Sequence, residues 1–265
     1  MKKKICFVTL GCAKNTVYSE YMMGLIADSN YVLVEEPLDA NVIVVNTCGF
    51  ITAAKEETIN TILELNAYKE NGNCDFLIAI GCMVQKYANE MEEALPELDL
   101  LLGSTAYDSI VSHVDALYAH NLSEKSSVDT SWHLPNDMER NGRVLSTPGY
   151  YAYLTIAEGC DNHCTFCAIP EMQGPYRSRE MADILQEAAQ LADRGVKELI
   201  VIAQDITTYG LDLYGQFALP ELLKKLCAIS GIEWIRLLYA YPNHLSDELI
   251  DVIAQEDKIC KYIDM

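Results

Sequence analysis

The sequence predicts an α/β fold in two parts, an open parallel sheet followed by an incomplete β/α barrel. Two observations support this prediction. Short apolar runs of strand length alternate with longer helical patterns along most of the 265 residues, and such alternation is typical of parallel sheets covered by helices. A polar stretch without periodicity interrupts the alternation at 121–149. We therefore expect two α/β units separated by a linker.

The first half contains five predicted strands and four predicted helices. Most of the strand runs are continuously apolar, as expected for parallel strands buried on both faces; the run at 31–36 is weaker. The strands are predicted at 5–11, 31–36, 42–47, 76–81 and 98–103, and the helices at about 16–28, 52–71, 84–94 and 105–120. This order implies an open α/β sandwich of flavodoxin-like kind.

The second half has the pattern of a β/α barrel that stops early. Strands are predicted at 150–159, 196–204 and 232–240, with a last apolar run at 258–265, and helices at 179–194, 218–229 and 246–256. Four strands and three helices cannot close a barrel. We therefore expect the chain to be a fragment or a truncated form of a longer protein.

These patterns give predicted domain boundaries. The first domain is placed at 1–122, the linker at 123–148 and the first part of the barrel at 149–265. The linker segment is rich in Ser, Asn, Asp and Pro, which favour irregular structure. Trp132 is expected to anchor the crossing on an apolar patch.

Composition limits the classes of function. The formal charge is −20, from 39 acidic and 19 basic residues, so the surface should repel phosphate backbones and attract a basic protein. Unaided nucleic-acid binding is therefore not expected. No stretch approaches the ~20 apolar residues of a membrane span, and the short apolar run after Lys2–Lys4 lacks the length and cleavage site of a secretory signal. We expect a reducing cytoplasm, where thiols serve as metal ligands, nucleophiles or buried apolar groups.

Three cysteines occupy one short loop directly after the first predicted barrel strand. Cys160, Cys164 and Cys167 are separated by three and then two residues. Three thiolates can hold three irons of a cubane iron–sulfur cluster and leave the fourth iron open to an outside molecule. The alternative is a zinc knuckle that uses His163 as its fourth ligand, although His163 is poorly placed for this because it is adjacent to Cys164.

A second set of cysteines recurs in the first half. Cys12, Cys48 and Cys82 each follow directly on a predicted strand, at the sheet edge where open α/β folds bind ligands. We expect the three to converge there; the alternative is that they are buried apolar fillers. Cys6, Cys74, Cys227 and Cys260 show no such pattern and are interpreted as structural.

The cysteine loop, with Phe166 immediately before its last cysteine, resembles the signature of radical S-adenosylmethionine enzymes. The resemblance implies that the three thiolates bind a 4Fe–4S cluster whose open iron chelates S-adenosylmethionine, which is then cleaved to methionine and a 5'-deoxyadenosyl radical. It also implies that Phe166 packs beside the adenine. Core packing is the alternative for Phe166.

The second cysteine set narrows the resemblance to the methylthiotransferases, in which three N-terminal cysteines carry a second 4Fe–4S cluster. The similarity extends over nearly the whole chain and includes TLGCAKNTVYSE, NTCGFITAAKEETI, IAIGCMVQKY, LPELDLLLGS, YAYLTIAEGC, CAIPEMQGPYRSR, AQDITTYG and RLLYAYP. Within the family, GCAKN, CAIP and RLLYAYP resemble the enzymes that modify an aspartate of ribosomal protein S12.

The resemblance implies a function, cofactors and partners. The chain would transfer a methylthio group, from S-adenosylmethionine and a sulfur donor, to the β-carbon of that aspartate. The cofactors would be two 4Fe–4S clusters and S-adenosylmethionine, and the partners basic ribosomal protein S12 and an electron donor such as a flavodoxin or ferredoxin. Two alternatives stay open: a transfer-RNA adenosine methylthiotransferase, or a non-catalytic iron–sulfur protein if the barrel is truncated.

Several positions outside the cysteines bear on cofactor and substrate binding. Gln204 and Asp205 end the second predicted barrel strand, where ligand contacts are expected; Asp205 could instead cap a helix. Arg177 and Arg179 are candidates for carboxylate contacts or for ordinary ion pairs. The chain departs from its relatives at two positions, Tyr18 in place of an acidic residue and Gln173 in place of the usual Arg.

Overall fold

A computed structural model describes residues 2–119, 127–131 and 142–265. It divides into two compact units, Met1–Val144 and Leu145–Met265. Both units are α/β, and the predicted fold class is confirmed. No helix in these described ranges is long and apolar enough to cross a lipid bilayer.

The first unit is a six-stranded parallel sheet with helices on both faces. Its elements are β1 (Lys4–Thr9), α1 (Ala13–Ala27), β2 (Val32–Leu33), β3 (Val42–Thr47), α2 (Thr52–Asn71), β4 (Phe76–Gly81), α3 (Cys82–Ala94), β5 (Leu100–Leu102), α4 (Ile110–Tyr118) and β6 (Ser127–Asp129), with short 3₁₀ turns at Pro37–Asp39 and Ala106–Ser109. The spatial order of the strands is β2-β1-β3-β4-β5-β6. The centre of the sheet is therefore β3 with its neighbours β1 and β4.

The core lies on both faces of this sheet. Val42 and Val44 of β3 pack into the cluster that includes α1 and α4, whereas Ile43 and Val45 pack into the cluster beneath α2 and α3. Side chains alternate between the two faces of a strand. The continuous apolar runs in the sequence follow from this burial on both sides.

The structure differs from the predicted linker in one respect. Residues 127–129, inside the predicted linker 123–148, form β6, which pairs in parallel with β5. Strand β6 is three residues long and has no apolar alternation, so its strand conformation depends on pairing with a neighbour. Trp132 lies outside the described residues, and the division of the chain at 122 and 149 stays a prediction.

The second unit contains a three-stranded parallel sheet in the order β11-β10-β7. Its elements are β7 (Tyr151–Thr155), β8 (Ala157–Glu158), α5 (Ile169–Gln173), β9 (Arg177–Ser178), α6 (Met181–Asp193), β10 (Glu198–Ile202), α7 (Leu211–Tyr214), α8 (Leu219–Cys227), β11 (Trp234–Leu237) and α9 (Asp247–Gln255). Strands β8 and β9 form a small antiparallel pair. The last apolar run is not a full strand, because it meets β11 through a single bridge between Ile235 and Ile259.

One apolar cluster forms the core of this second unit. Ala152 and Leu154 of β7, Leu199 and Val201 of β10, and side chains of α6, α8 and α9 are fully or almost fully buried in it. The helices therefore cover the sheet as in a β/α barrel. Both the cysteine loop and the Gln204–Asp205 pair follow the carboxyl ends of strands, which is the end that bears the functional sites in such folds.

Candidate metal centres

The first-unit cysteines follow three strands that lie side by side. Thr9 of β1 is in register with Asn46 of β3, and Thr47 of β3 is in register with Gly81 of β4. Cys12 follows β1 by three residues, Cys48 follows β3 directly, and Cys82 opens α3 directly after β4. All three therefore stand at the carboxyl edge of the sheet, as the sequence predicts.

Close backbone contacts bring the three cysteine segments together. A Cβ placed on Gly11, next to Cys12, would lie 2.6 Å from the Cβ of Cys48 and 2.9 Å from its Sγ. A Cβ on Gly49, next to Cys48, would lie 2.9 Å from the Cα of Met83, the neighbour of Cys82. The Cys48 segment is thus wedged between the other two.

The environment of these thiols suits an anionic cluster. Cys12 is the N-cap of α1, and Cys82 is the first residue of α3. Helix N-termini attract negative charge, because their first N–H groups have no partner within the helix. Burial raises the pKa of the Cys48 thiol, with a further contribution from nearby Cys12, so metal binding there would release a proton.

Accessibility separates the predicted ligands from most of the predicted structural cysteines. All six candidate ligands are exposed or partly exposed, whereas Cys6, Cys74 and Cys227 are buried. Burial raises the pKa of each of these three buried thiols to about 11. Cys260 is partly exposed, so accessibility alone does not distinguish it from the candidate ligands.

The cysteine loop of the second unit is held by backbone contacts. The Cys160 N–H donates to the Gly174 carbonyl at 3.2 Å, and the Cys167 N–H donates to the Cys164 carbonyl at 2.9 Å. His163, between the first two cysteines, has a φ of 44°, which is uncommon for a residue other than glycine. The loop is therefore a defined turn, and it carries all three cysteines within eight residues.

Asp205 connects this loop to the end of β10. Its carboxylate is almost fully buried and accepts a hydrogen bond of 2.7 Å from the Asn162 amide of the cysteine loop. The Thr207 N–H, at 2.9 Å, and the Thr207 hydroxyl donate to its other oxygen, while His244 Nδ1 lies 3.5 Å away. The contact with Thr207 closes a local turn and is not the helix cap considered from the sequence.

A pocket of about 370 Å³ opens beside the loop, within the size range of small-molecule sites. It is lined by Asp161, Asn162, Tyr176, Thr208, Leu211, Asp212 and His244. A hydrogen bond to the Cys164 thiol raises the pKa of Tyr241, which follows β11 by four residues. Burial is the largest influence on the pKa of Cys160 and raises it. A backbone hydrogen bond from Asn162 lowers this pKa and the charge of Asp205 raises it, so that the net shift is upward.

The structure narrows the interpretation of the remaining candidates. Phe166 is 86% exposed, so the core-packing alternative is wrong; its contact with adenine stays a prediction. Gln204 is partly exposed at the end of β10. Arg179 is buried, bonded to the Thr155 carbonyl and paired with Glu187 at 2.7 Å, which makes it a structural residue in this arrangement.

The two departures from the family pattern occupy buried positions. Tyr18 is 5% exposed, and its ring stacks on Tyr107 with centroids 5.0 Å apart. Gln173 is 4% exposed and ends α5. Tyr18 therefore contributes to the core of the first unit.

Each cysteine trio has the number of thiolates that a 4Fe–4S cluster with one open iron takes from a protein. A 4Fe–4S cluster takes each thiolate on a different iron, so its cysteines lie farther apart than the ligands of a single metal ion. Within 2–119, 127–131 and 142–265, no three His, Cys, Asp or Glu side chains gather as ligands of a single metal ion.

Sequence reasoning did not single out four polar residues that support these sites. They are Asn15, Asn162, Tyr241 and His244. Asn15 and Tyr241 lie inside GCAKN and RLLYAYP, and Asn162 lies inside the cysteine loop. Their position in these motifs was a signal, but their contacts arise only when distant segments meet.

Comparison with curated proteins identifies the relatives of this chain. It is 49% identical to the ribosomal protein uS12 methylthiotransferase RimO of Acetivibrio thermocellus, over 100% of this chain and 59% of that protein. It is 50% identical to the RimO of Alkaliphilus oremlandii, over 98% of this chain and 57% of that protein. It is 51% identical to the RimO of Lachnoclostridium phytofermentans, over 99% of this chain and 59% of that protein. The chain is a RimO homologue. It spans somewhat less than three fifths of the length of these RimO relatives.

Two family models match parts of the chain, and solved structures share its fold. The model described as uncharacterized protein family UPF0004 matches residues 4–103, and the radical SAM superfamily matches residues 154–265. The structure is similar to the radical S-adenosylmethionine methyltransferase TsrM of Kitasatospora setae, with a TM-score of 0.63 at 11% identity over 98% of this chain and 60% of that one. It is also similar to the cobalamin-dependent S-adenosylmethionine radical enzyme OxsB, with a TM-score of 0.57 at 13% identity over 96% of this chain and 41% of that one. At these identities the likeness shows the fold alone.

Proposed function

We propose that this chain carries the two iron–sulfur sites of a uS12 methylthiotransferase and uses both in radical methylthiolation of an aspartate β-carbon. The observation that carries the proposal is the arrangement of the first-unit cysteines at the ends of three adjacent strands. An enzyme that only generates a radical from S-adenosylmethionine would need the cysteine loop alone and no second set of thiols. The additional accessible thiols support a second cluster that delivers sulfur.

The cysteine loop would bind the first cluster through Cys160, Cys164 and Cys167. When bound with S-adenosylmethionine, such a cluster supplies the 5'-deoxyadenosyl radical that abstracts hydrogen from an unactivated carbon. The protein contributes the geometry: Asn162 and Asp205 fix the loop to β10, and the adjacent pocket is large enough for a small-molecule cofactor. Exposed Phe166 is available to pack beside an adenine ring.

The trio of Cys12, Cys48 and Cys82 would bind the second cluster. Three thiolates leave one iron without a protein ligand, and sulfur can be held there. The helix N-termini at Cys12 and Cys82 favour the negative charge of a thiolate-ligated cluster. The role of this unit would be to hold and deliver the sulfur.

The substrate would be ribosomal protein uS12, by homology with the RimO relatives. A basic ribosomal protein suits a chain of formal charge −20, because opposite net charges steer encounter. The electron donor would be a small electron-carrier protein such as a flavodoxin or ferredoxin. A cytoplasmic location is consistent with six accessible thiols, since such thiols stay reduced there.

The test is anaerobic reconstitution of the chain, followed by iron and sulfide analysis and by incubation with S-adenosylmethionine, reductant, inorganic sulfide as the sulfur donor and uS12. We expect about eight irons per chain, reductive formation of 5'-deoxyadenosine and methylthiolation of one uS12 aspartate. Replacing Cys160, Cys164 and Cys167 together by Ala should remove about half of the iron and all 5'-deoxyadenosine.

A matched control replaces the three buried thiols Cys6, Cys74 and Cys227 by Ala. This variant should keep all of the iron, because these thiols lie in the apolar core. Methylthiolation of transfer-RNA adenosine in place of uS12, or an iron content of only about four, would contradict the proposal.

A further inference from the structure

The side chain of Asn15 bridges the two segments that precede Cys12 and Cys48. Its Nδ2 donates one hydrogen bond to the Leu10 carbonyl at 2.7 Å and another to the Thr47 carbonyl at 3.0 Å. Both N–H groups of the amide are therefore used. Asn15 itself is 1% exposed, so the bridge is protected from water.

A second layer of hydrogen bonds holds Asn15 in place. The Asn46 amide donates to the Asn15 carbonyl at 2.9 Å and to the Ser19 hydroxyl at 3.0 Å. The Thr9 hydroxyl donates to Ser19 at 2.6 Å. Asn46 and Ser19 are each 1% exposed. These connected buried hydrogen bonds restrict Asn15 to one arrangement.

The Cys12 segment and Cys48 are in close contact beside Asn15. Gly11 has a φ of +90°, and a Cβ there would lie 2.6 Å from Cys48 and 3.2 Å from the Asn15 amide nitrogen. The Cys12 turn thus lies directly against Cys48. An amide can join two carbonyls across this contact, whereas an isosteric carboxylate has no donor and would repel both.

We propose that Asn15 is a positioning residue that fixes Cys12 and Cys48 at the spacing required by the cluster of the first unit. It acts through the backbone of Leu10 and Thr47 and contacts no iron. The inference rests on the proposed function, because it concerns the geometry of the same thiol trio.

The experiment compares two identical substitutions in the first unit, one in α1 and one directly before β3. Asn15→Asp removes the bridge. Asn41→Asp is the matched control, because the Asn41 side chain also makes two hydrogen bonds, from the Lys4 N–H and to the Asn73 carbonyl, but at the opposite edge of the sheet. Both are made in a chain whose Cys160, Cys164 and Cys167 are Ala, so that any iron reports on the first unit.

We expect the Asn41→Asp chain to keep about four irons and the Asn15→Asp chain to bind iron about 10- to 100-fold more weakly, the usual effect of losing a supporting contact behind a metal ligand. Circular dichroism melting of both metal-free chains measures folding. Asn15→Ala, which removes the donors without adding a repelling oxygen, replaces Asn15→Asp if that chain does not fold.

A second readout needs no cluster. Phenylarsine oxide forms two As–S bonds with a pair of nearby thiols and releases water, so its affinity for the metal-free chain reports the Cys12–Cys48 spacing. Mass mapping identifies the bridged pair. We expect capture of Cys12 with Cys48 in the parent chain and in Asn41→Asp, and at least about tenfold weaker capture in the Asn15 variant.

The outcomes separate the two ideas. Full iron content and unchanged arsenical capture in a folded Asn15 variant would overturn the positioning role, as would equal losses in the Asn15 and Asn41 variants. A parent chain that binds no iron would contradict the proposed function, whereas weaker phenylarsine oxide capture in the Asn15 variant than in the parent and in Asn41→Asp would still support the role of Asn15 in setting the Cys12–Cys48 spacing.

Discussion

At the scale of single residues, the backbone before Cys160 has no room for a side chain. Gly159 has a φ of +71°, and a Cβ there would lie 2.0 Å from the Pro175 carbonyl oxygen. Gly215 has a φ of +70° with no atom within 4 Å of its Cβ position. The two glycines therefore have nearly the same φ and differ in crowding.

Ala substitutions at these two glycines separate the cost of conformation from the cost of contact. Gly215→Ala should lose about 1–2 kcal/mol, the penalty of a left-handed L-residue. Gly159→Ala should lose a further 1–3 kcal/mol or so from overpacking and displace the cysteine loop. Urea unfolding measures both. Equal losses of stability in the two variants would show that the Gly174–Pro175 backbone moves away from the new methyl group without a cost in free energy.

The buried thiols make stability depend on alkaline pH. Burial raises the pKa of Cys6 and Cys74 from 9.0 to about 11. Between these values the unfolded chain has lost thiol protons that the folded chain keeps, so ionisation favours the unfolded state. The stabilising contribution is complete below pH 9 and is lost as pH rises toward 11.

This loss should appear as a falling urea midpoint between about pH 9 and pH 11. A chain with Cys6→Ala and Cys74→Ala should be less stable at neutral pH but should show a flatter decline. Tyrosines ionise in the same range, so the difference between the two curves is the relevant quantity. Parallel curves would mean that these thiols titrate normally in the folded state.

At the scale of elements, α1 is tied to residue 143 by a buried ion pair. Arg143 Nη2 lies 2.6 Å from the Glu20 carboxylate, and both side chains are at most 3% exposed. The Val144 N–H also donates to the Glu20 carbonyl at 3.1 Å. Since α1 begins directly after Cys12, this contact supports the helix that bears one candidate ligand.

Removing one partner of this pair should be costly. Arg143→Ala should destabilise the first unit by about 3–5 kcal/mol, because it leaves a buried carboxylate without its partner. Lys224→Ala, in the exposed pair with Glu248 at 3.4 Å, is the control and should cost less than about 1 kcal/mol. Denaturant titration gives both values, and a small loss for Arg143→Ala would imply that Glu20 finds another donor or water.

Most elements of the fold were predictable because their burial is visible in local sequence patterns. Strands β3 and β4 were predicted with the bounds 42–47 and 76–81 that the structure shows. By contrast, β6 was missed because Ser127–Asp129 has only three residues and a single apolar side chain, and only its pairing with β5 makes it a strand.

The same distinction applies to the candidate sites. The six cysteines could be found from spacing and from their position after apolar runs. Asn15 and Asn162 could not, since each acts through a hydrogen bond to a segment more than 30 residues away. Arg179 was a candidate from its motif, but its pairing with Glu187 and Thr155 depends on how α6 packs on β7.

At the scale of the whole molecule, the dominant property is a formal charge of −20. Such a field acts over about 10 Å at 0.1 M salt and about 30 Å at 0.01 M. It attracts a basic ribosomal protein and repels transfer RNA, which is itself a polyanion. Charge therefore favours the proposed protein substrate over the nucleic-acid alternative.

We accordingly expect the chain to bind uS12 more tightly than transfer RNA, with uS12 affinity falling roughly tenfold or more between about 50 mM and 300 mM salt. Fluorescence anisotropy with labelled uS12 or transfer RNA measures this, and polylysine of similar net charge gives the nonspecific baseline. uS12 binding should exceed that baseline at both salts, since shape as well as charge selects the substrate. Tighter binding of transfer RNA than of uS12 at about 0.1 M salt would instead favour the adenosine-modifying alternative. Transfer RNA would then have to bind a local basic surface whose attraction exceeds the repulsion from the net negative charge of the chain.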